Sequence, residues 1–414
     1  MEAAKSPEKT PVEMMDDYLW RRIRRTHGST KGHAWELYFA AVDAVKAETE
    51  ARGLQFLSFS SYDYLGLSQD ASVQAASVHA IADHGTGVLG SRIVGGERLL
   101  HRQLESSLAN FVGKEAALVF VSGYVTNETL LSTLLQTKDL ILYDELSHAS
   151  IMAGINGSRA TCMAFRHNDN AHLRSLLRTE RASYRRCLIV TEGLFSMDGD
   201  IPDLPDMIAL KSEYDAWLML DESHSHGVLG NAGRGICDHF GIPTDDIDLV
   251  VGTLSKAFGS CGGFIAADRS VCEALRLLLP GFVYSVGLPP AVAASADAAV
   301  RKAIQEPHRV CRLAELTKRL KNGLQENGFD TGSSFGRGIV PVYFRNDADT
   351  IDASRYLMKH GIFAPPVVRV SVPNSRPRIR FFVTAHHTEA EIDRAVQALA
   401  SSGLVPNRAK VEAI

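Results

Sequence analysis

The sequence lacks cysteine pairs at the spacing that zinc sites and disulfide frameworks use. Its six cysteines are scattered along the 414 residues: Cys162, Cys187, Cys237, Cys261, Cys272 and Cys311. Because no CxxC pair is present, a zinc site is disfavoured and the chain fits a reducing compartment. The first residues, MEAAKSPEKTPVEMMDDYLWRRIRR, are too charged to form the apolar core of a signal peptide. We therefore expect a cytoplasmic protein.

Long apolar runs and a large excess of one charge are also absent. No stretch of about 18 apolar residues occurs, so no membrane-spanning helix is predicted. The formal net charge of −4 gives no basic face for nucleic acid. The segment DDYLWRRIRR predicts a short amphipathic helix, and an exposed helix of a dimer is a better interpretation than a membrane contact.

What the sequence does have is a regular alternation of strands and helices from about residue 115. Short apolar runs rich in β-branched residues recur: AALVFV, DLILY, RCLIVT, AWLML, IDLVVG and GGFIAA. Most of them are separated by helix-like stretches such as NETLLSTLLQT and NAHLRSLLRTE. Nearly continuous apolar strands that alternate with helices predict an α/β fold with a mostly parallel sheet covered on both faces.

The pattern divides the chain into three parts. We expect an N-terminal arm over residues 1–50, a large α/β domain over 51–290 and a smaller α+β domain over 291–414. The large domain begins with a strand at LQFLSFSS and a helix at DASVQAASVHAIADHG, which has an Asp cap and a Gly stop. The small domain contains the strands GIVPVYF, GIFAPPVV and RIRFFVTA.

Polar residues follow five successive predicted strands at the point where each strand ends. In an open parallel sheet, ligands bind beyond the carboxyl ends of the strands. Taken singly, these residues have structural interpretations, since serine and aspartate cap helices and lysine extends to the surface. Because all of them are expected at one edge of the sheet, a ligand-binding site is a better interpretation than separate structural roles. The residues are Ser122, Gly123 and Tyr124; His148; Ser196; Asp221 and His224; and Ser255 and Lys256.

The chemistry that uses this set is catalysis with pyridoxal phosphate (PLP). Lys256 would form a Schiff base with the cofactor aldehyde. Asp221 would pair with the ring nitrogen and keep it protonated, so that the ring can accept electrons. His148 would supply an aromatic face, and His224 a hydrogen bond to the phenolic oxygen or to a substrate carbonyl.

The phosphate of PLP needs backbone amides at a helix start together with hydroxyl groups. SGYVTN, with Thr253 and Ser255, supplies both. Other phosphate motifs fit worse: GTLSKAFG is not a GxxxxGK[ST] loop, and GTGVLGS at residues 85–91 does not directly follow a strong strand. A metal site at DESHSHG is disfavoured because companion ligands are missing at the usual spacing.

The motifs of this chain resemble those of the α-oxoamine synthases, a family of fold-type-I PLP enzymes. The segments that carry the resemblance run in order between about residues 55 and 400: SYDYLGLS, HRQLESSLANFVGKEAALVFVSGYVTN, YDELSHASI, TEGLFSMDGDIPDL, LDESHSHGVLG, VGTLSKAFGSCGGFIA and LPP. The resemblance implies a homodimer with its active site at the subunit interface. It also implies a decarboxylative Claisen condensation of an amino acid with an acyl thioester of coenzyme A or of an acyl-carrier protein.

The same resemblance implies a role for each matched residue. Lys256 is then the Schiff-base lysine and the base that removes the α-proton, Asp221 holds the pyridinium nitrogen, His148 stacks on the ring, and His224 contacts the phenolic oxygen. The residues that would surround the cofactor are Ser122, Gly123, Tyr124 and Thr253, with Ser196 near the ring substituents.

Arg380, in RIRFFVTAHH, matches a family arginine that binds the carboxylate of the amino acid. Arg378 and Arg369 are alternatives, and a structural arginine on a strand is a further interpretation. Tyr62 stands where several members carry an asparagine that contacts the substrate carboxylate, and other members also have tyrosine there.

A second departure from the family concerns the segment YSVGLPP. Val286 stands where many members carry a hydroxyl group that faces the phosphate bound by the partner subunit, and Ser285 can compensate. The amino acid stays open, because glycine, alanine and serine differ by one small group. A residue near Ser91, Tyr62 or Thr384 would decide between them.

Two other functions use parts of the same evidence. An aminotransferase or a retro-aldol lyase would need the same lysine and aspartate, but would release neither CO2 nor a thiol. An inactive scaffold that pairs with a catalytic homologue would lack the lysine, and Lys256 is present.

Overall fold

The computed structural model describes residues 11–27, 48–51, 54–368 and 376–404. Arg369 and most of the predicted arm lie outside these residues. The strands are β1 Glu48–Ala51, β2 Leu54–Ser58, β3 Ala116–Phe120, β4 Leu140–Asp144, β5 Thr161–Phe165, β6 Cys187–Glu192, β7 Trp217–Asp221, β8 Leu249–Thr253, β9 Gly263–Ala267, β10 Ile339–Tyr343, β11 Ile362–Phe363, β12 Pro366–Val367 and β13 Arg378–Phe382.

The helices alternate with these strands through the middle of the chain. They are α1 Pro11–His27, α2 Ala71–His84, α3 Leu99–Val112, α4 Gly123–Leu134, α5 Ala149–Gly157, α6 Asn170–Glu180, α7 Leu204–Glu213, α8 Ile236–Phe240, α9 Arg269–Leu278, α10 Pro280–Val283, α11 Pro290–Gln305, α12 His308–Glu326, α13 Asp347–Lys359 and α14 Glu389–Ala400. The predicted helix after LGLS is confirmed as α2, with Asp70 as its N-cap and Gly85 at its C-terminus.

A seven-stranded sheet in the order β3-β9-β8-β7-β6-β4-β5 forms the centre of the fold. The predicted mostly parallel sheet is confirmed: β9 pairs antiparallel with both β3 and β8, and the other strands all run in one direction. Successive residues of β6 face opposite sides, so Cys187 and Ile189 pack in one apolar cluster, and Leu188 and Val190 in another. Helices therefore cover both faces of the sheet. The carboxyl edge of the strands remains as the place where a ligand can bind.

Two three-stranded sheets lie outside the central sheet, in the orders β10-β13-β12 and β1-β2-β11. Strand β2, predicted as the start of the large domain, pairs in parallel with β11, near the other end of the chain. Helix α11 packs against α2 and α3. The domain boundaries at residues 51 and 291 stay a prediction.

Within the described residues, no helix is both long enough and apolar enough to cross a membrane. The same part of the chain has no cluster of three or more histidine, cysteine, aspartate or glutamate residues that could hold a metal ion.

Candidate active site

The polar residues predicted to share one edge come from strands that end side by side. Asp221 is the last residue of β7 and pairs in register with Glu192, the last residue of β6, and with Val251 of β8. Thr253 ends β8, and Lys256 follows it in the next turn. The parallel order of these strands therefore places their polar ends in one region, as their sequence positions predicted.

Lys256 is a largely buried lysine with no hydrogen bond or ion pair from its amine to any described residue. Burial lowers the pKa of its ammonium group, and the negative charges of Asp221 and Glu192 only partly oppose this effect. A lowered pKa increases the fraction of neutral amine, which is the nucleophilic form. The amine of Lys256 is therefore neutral more often than that of an exposed lysine.

Asp221 is 4% exposed and has hydrogen-bond donors on both carboxylate oxygens. Asn127 Nδ2 donates to Oδ2 at 2.6 Å, and the backbone amide of Ser223 donates to Oδ1 at 2.9 Å. Asn127 lies on α4, and its own Oδ1 is buried without a partner among the described residues. The two donors therefore hold the buried carboxylate in one orientation.

His148 is joined to this carboxylate through two other side chains. Asn127 also donates to Ser150 Oγ at 3.0 Å, and that hydroxyl lies 2.7 Å from Nδ1 of His148. The backbone amide of His148 donates to Glu192 at 2.6 Å. Burial lowers the pKa of the imidazole, so a neutral ring is held at the start of α5.

His224 lies on the turn after β7 and is 5% exposed. The hydroxyl of Tyr64 is 2.8 Å from its Nδ1, and the rings of Tyr62 and Tyr64 approach it edge-on. Burial lowers the pKa of His224 well below its usual value, and the nearby positive charges of Lys256 and Arg380 add to the effect. The imidazole is therefore neutral.

Arg380 and Tyr62 converge on the same region from β13 and from the turn after β2. Arg380 Nη1 donates to the carbonyl of Ser196 at 2.8 Å, and the nearby Tyr62 partly opposes the lowering of the Arg380 pKa by burial. Its Nε is buried without a partner among the described residues, and its guanidinium lies over the ring of Phe382. A cation with an unused donor is suited to a carboxylate ligand.

Arg378, the alternative arginine, makes its contacts with other residues of the protein. It is 2% exposed and makes an ion pair with Asp198. It also donates to the carbonyl of Met197 at 3.0 Å and to the hydroxyl of Tyr343 at 2.9 Å. This geometry favours Arg380 over Arg378 as the carboxylate ligand.

The comparisons with known proteins agree with this geometry. The family described as "Aminotransferase class I and II" matches residues 55–399. The chain is 39% identical over 364 residues to a serine palmitoyltransferase from Sphingobacterium spiritivorum, covering 87% of this chain and 90% of the relative. It is also 39% identical over 351 residues to an 8-amino-7-oxononanoate synthase from Symbiobacterium thermophilum, covering 85% and 89%.

Solved structures give the same result. A serine palmitoyltransferase from S. paucimobilis, solved with a PLP–myriocin aldimine, has a TM-score of 0.88 at 29% identity and covers 95% of this chain and 98% of its own. An 8-amino-7-oxononanoate synthase from Francisella tularensis has a TM-score of 0.73 at 25% identity, covering 84% and 97%. The chain belongs to the aminotransferase class I and II family. Within it, the chain is an α-oxoamine synthase of PLP-dependent fold type I.

The residues of this α-oxoamine synthase fit PLP at the carboxyl edge. A Cβ built on Gly123, the first residue of α4, would lie 3.0 Å from Thr253 Oγ1, so a larger residue would have to displace Thr253. Ser122 caps α4 by accepting from the amide of Tyr124, and Ser255 Oγ lies 2.8 Å from Thr253 Oγ1. A helix N-terminus with hydroxyl groups beside it suits a phosphate dianion.

Ser91 and Ser285, two other predicted site residues, lie on a different pair of segments. Ser91 forms a β-bridge with Val286, and its hydroxyl donates to the carbonyl of Val283 at 2.5 Å. Neither serine has a side-chain hydrogen bond to Lys256, Asp221 or another edge residue within the described part of the chain. Their roles in binding stay a prediction.

Sequence reasoning missed four residues that hold the edge groups in place: Tyr64, Asn127, Ser150 and Glu192. Asn127 lies one helical turn beyond Gly123 and therefore on the same side of α4, a spacing that could have indicated it. Glu192 directly precedes the turn that carries Ser196. Burial raises the pKa of Glu192 well above its usual value, and the charge of Asp221 adds to this.

Proposed function

We propose that this chain condenses a small amino acid with the acyl group of a thioester, with release of CO2 and the free thiol. The proposal is carried by three side chains near the carboxyl edge of the sheet: the largely buried Lys256, the fixed Asp221, and Arg380. Among the described residues, the amine of Lys256 and Nε of Arg380 have no hydrogen-bond partner. The reaction type is that of the α-oxoamine synthases to which the chain belongs. Glycine, alanine and serine are the candidate amino acids.

Each residue would contribute through its position. Bound PLP would supply an electron sink for the charge left when the α-proton is removed. The amine of Lys256 would accept that proton. Asp221, oriented by Asn127, would hold the proton of the ring nitrogen, and the flat neutral face of His148 would lie against the ring. Ser122, Gly123, Tyr124, Thr253 and Ser255 would hold the phosphate.

Arg380 and Tyr62 would bind the carboxylate and limit the size of the amino acid. The Tyr62 ring lies edge-on to Phe382 at 4.6 Å and to His224 at 5.8 Å, centroid to centroid. We expect these packed rings to limit the space beside a bound carboxylate and so to favour a small side chain over a large one. His224 would donate a hydrogen bond to the carbonyl of the thioester.

We also propose that the chain is a homodimer in the cytoplasm, with the active site next to the subunit interface. The segments around Ser91 and Val286 are joined by their β-bridge and expose large apolar side chains. The most exposed are Leu89 at 95%, Tyr284 at 85%, Leu99 at 77% and Val94 at 75%. Apolar side chains grouped in this way mark an interaction surface. A dimer would cover them and bring Ser285 toward the neighbouring site.

The direct test is a thiol-release assay on the PLP-loaded protein. Glycine, alanine and serine are each combined with acyl-coenzyme A thioesters of increasing chain length, and CO2 is measured in parallel. Equal release of thiol and CO2 with one amino acid supports the proposal and identifies the substrates. Transfer of the amino group to a keto acid, with neither product released, would reject it in favour of an aminotransferase.

A further inference from the structure

Tyr64 is a fully buried tyrosine in the turn that follows β2, with 0% of its surface exposed. Its hydroxyl has one hydrogen-bond partner among the described residues, which is Nδ1 of His224 at 2.8 Å. Burial raises the pKa of the phenol well above its usual value, so the hydroxyl keeps its hydrogen. That hydrogen needs an acceptor, because a buried donor without one costs about 1–3 kcal/mol.

The same contact determines which nitrogen of His224 carries the proton. The imidazole is neutral, so one nitrogen carries a hydrogen and the other is an acceptor. If Nδ1 carried the hydrogen, it would donate to the phenolic oxygen, and the phenolic hydrogen would then have no acceptor among the described residues. If Nδ1 accepts from Tyr64, both groups are satisfied and the hydrogen is on Nε2. Nε2 makes no hydrogen bond to any described residue and is therefore available as a donor.

We propose that Tyr64 is a positioning residue that holds His224 in the Nε2–H tautomer, so that His224 acts as a fixed neutral donor in the active site. The use of that donor in catalysis rests on the proposed function. The tautomer rests on the contact with Tyr64 and on the neutral state of the buried imidazole, and it does not depend on the reaction. Tyr64 itself touches neither substrate nor cofactor in this role. The two other aromatic neighbours, Tyr62 and Phe382, contact this pair through their rings and do not fix the proton.

The test is NMR of the PLP-loaded enzyme with isotope-labelled histidine. The chain has 15 histidines, so the His224 signal is identified by its loss in His224→Gln. The carbon shifts of the imidazole ring distinguish the two tautomers. We expect the Nε2–H form alone in the wild type and a mixture of both forms in Tyr64→Phe, which keeps the ring and removes only the hydroxyl. An Nδ1–H or protonated His224 in the wild type would overturn the proposal without any variant.

Kinetics and a matched control complete the test. In Tyr64→Phe we expect kcat to fall roughly five-fold, the effect of one ordinary hydrogen bond, while KM for the amino acid stays the same. Tyr62→Phe should keep the single tautomer and raise KM for the amino acid. A mixture of tautomers in both variants would assign the effect to ring packing and overturn the proposal, as would an unchanged tautomer in Tyr64→Phe. The tautomer is read without turnover, so an enzyme that released no thiol would refute the proposed function and leave this result standing.

Discussion

Arg378 and Arg380 donate to two consecutive carbonyl groups of the loop that follows β6. Arg380 Nη1 is 2.8 Å from the carbonyl of Ser196, and Arg378 Nη1 is 3.0 Å from that of Met197. The two arginines are two positions apart on β13, so their side chains share one face of the strand. Arg378 is neutralised by Asp198, whereas Arg380 has no ion-pair partner among the described residues. Arg378 therefore stabilises the loop, whereas the positive charge of Arg380 is available to a negatively charged ligand.

This difference predicts opposite phenotypes for the two conservative substitutions. Arg380→Lys should raise KM for the amino acid about 10- to 100-fold, because charge-assisted hydrogen bonds to its carboxylate are lost. Its melting temperature should stay close to that of the wild type. Arg378→Lys should lower the melting temperature instead, because lysine cannot keep all of the guanidinium hydrogen bonds to Asp198, Met197 and Tyr343, and an unmet hydrogen bond to a buried group costs about 1–3 kcal/mol. Steady-state kinetics and thermal unfolding check this, and the reverse assignment of effects would contradict it.

Asn127→Ala should weaken PLP binding. The substitution removes the Nδ2 donor that lies 2.6 Å from Asp221 and breaks the connection through Ser150 to His148. We expect the dissociation constant for PLP to rise roughly ten-fold, since an unmet hydrogen bond to a buried group costs about 1–3 kcal/mol. Fluorescence titration of the apoenzyme measures it. Asn110→Ala, at an exposed position of α3, is the control, and equal affinities in the two variants would refute the prediction.

His167 should stabilise the fold at neutral pH and lose this effect in alkali. Burial alone lowers the pKa of His167, but hydrogen bonds to Asp144 and Asp200 outweigh it and raise the pKa to about 10. Because the folded pKa exceeds the unfolded value of 6.5, the stabilisation is fully present below about pH 6.5 and disappears as pH rises through about 10. His167→Gln should therefore lower the urea midpoint at pH 7 and have little effect above pH ~10.

The control for this experiment is His79→Gln, at an exposed position on α2. It reports the general effect of pH on the rest of the protein. A difference between wild type and His167→Gln that stays constant from neutral pH into alkali would show that His167 acts only by packing.

Charges placed on the apolar surface around Ser91 and Val286 should dissociate the proposed dimer. Leu89→Asp combined with Tyr284→Asp puts two carboxylates at the most exposed apolar positions, and analytical ultracentrifugation should then show monomers. Val78→Asp, at a 64% exposed position on α2 outside the two joined segments, is the control and should leave the mass unchanged. A wild-type protein that sediments as a monomer would remove the basis for a shared site.

Much of the central sheet could be predicted because its strands are nearly continuous apolar runs. All six runs from AALVFV to GGFIAA form strands of that sheet. The edge strand β5 was missed because its sequence, TCMAF, is only partly buried and has no distinct apolar pattern. The antiparallel direction of β9 and the pairing of β2 with β11 depend on contacts between distant parts of the chain, which periodicity does not contain.

The groups at the carboxyl edge could be predicted for a related reason. Asp221 ends a strand, and His148, His224 and Lys256 each follow one, so the parallel order brings them together. The spacing from Gly123 could have indicated Asn127, but which groups the orienting residues contact could not be predicted, because Tyr64 precedes His224 by 160 positions and Asn127 precedes Asp221 by 94. Such contacts are determined by how a turn and a helix pack on the sheet, and one sequence does not show this.

The most direct measurement is to reduce the PLP-loaded protein with borohydride and to locate the pyridoxyl group by peptide mass spectrometry. We predict a single modified residue, Lys256, and no modification in Lys256→Ala. The same variant should also lose the visible absorbance of lysine-bound PLP. A pyridoxyl group on a different lysine, or unchanged absorbance in Lys256→Ala, would contradict the assignment of this sheet edge as the active site.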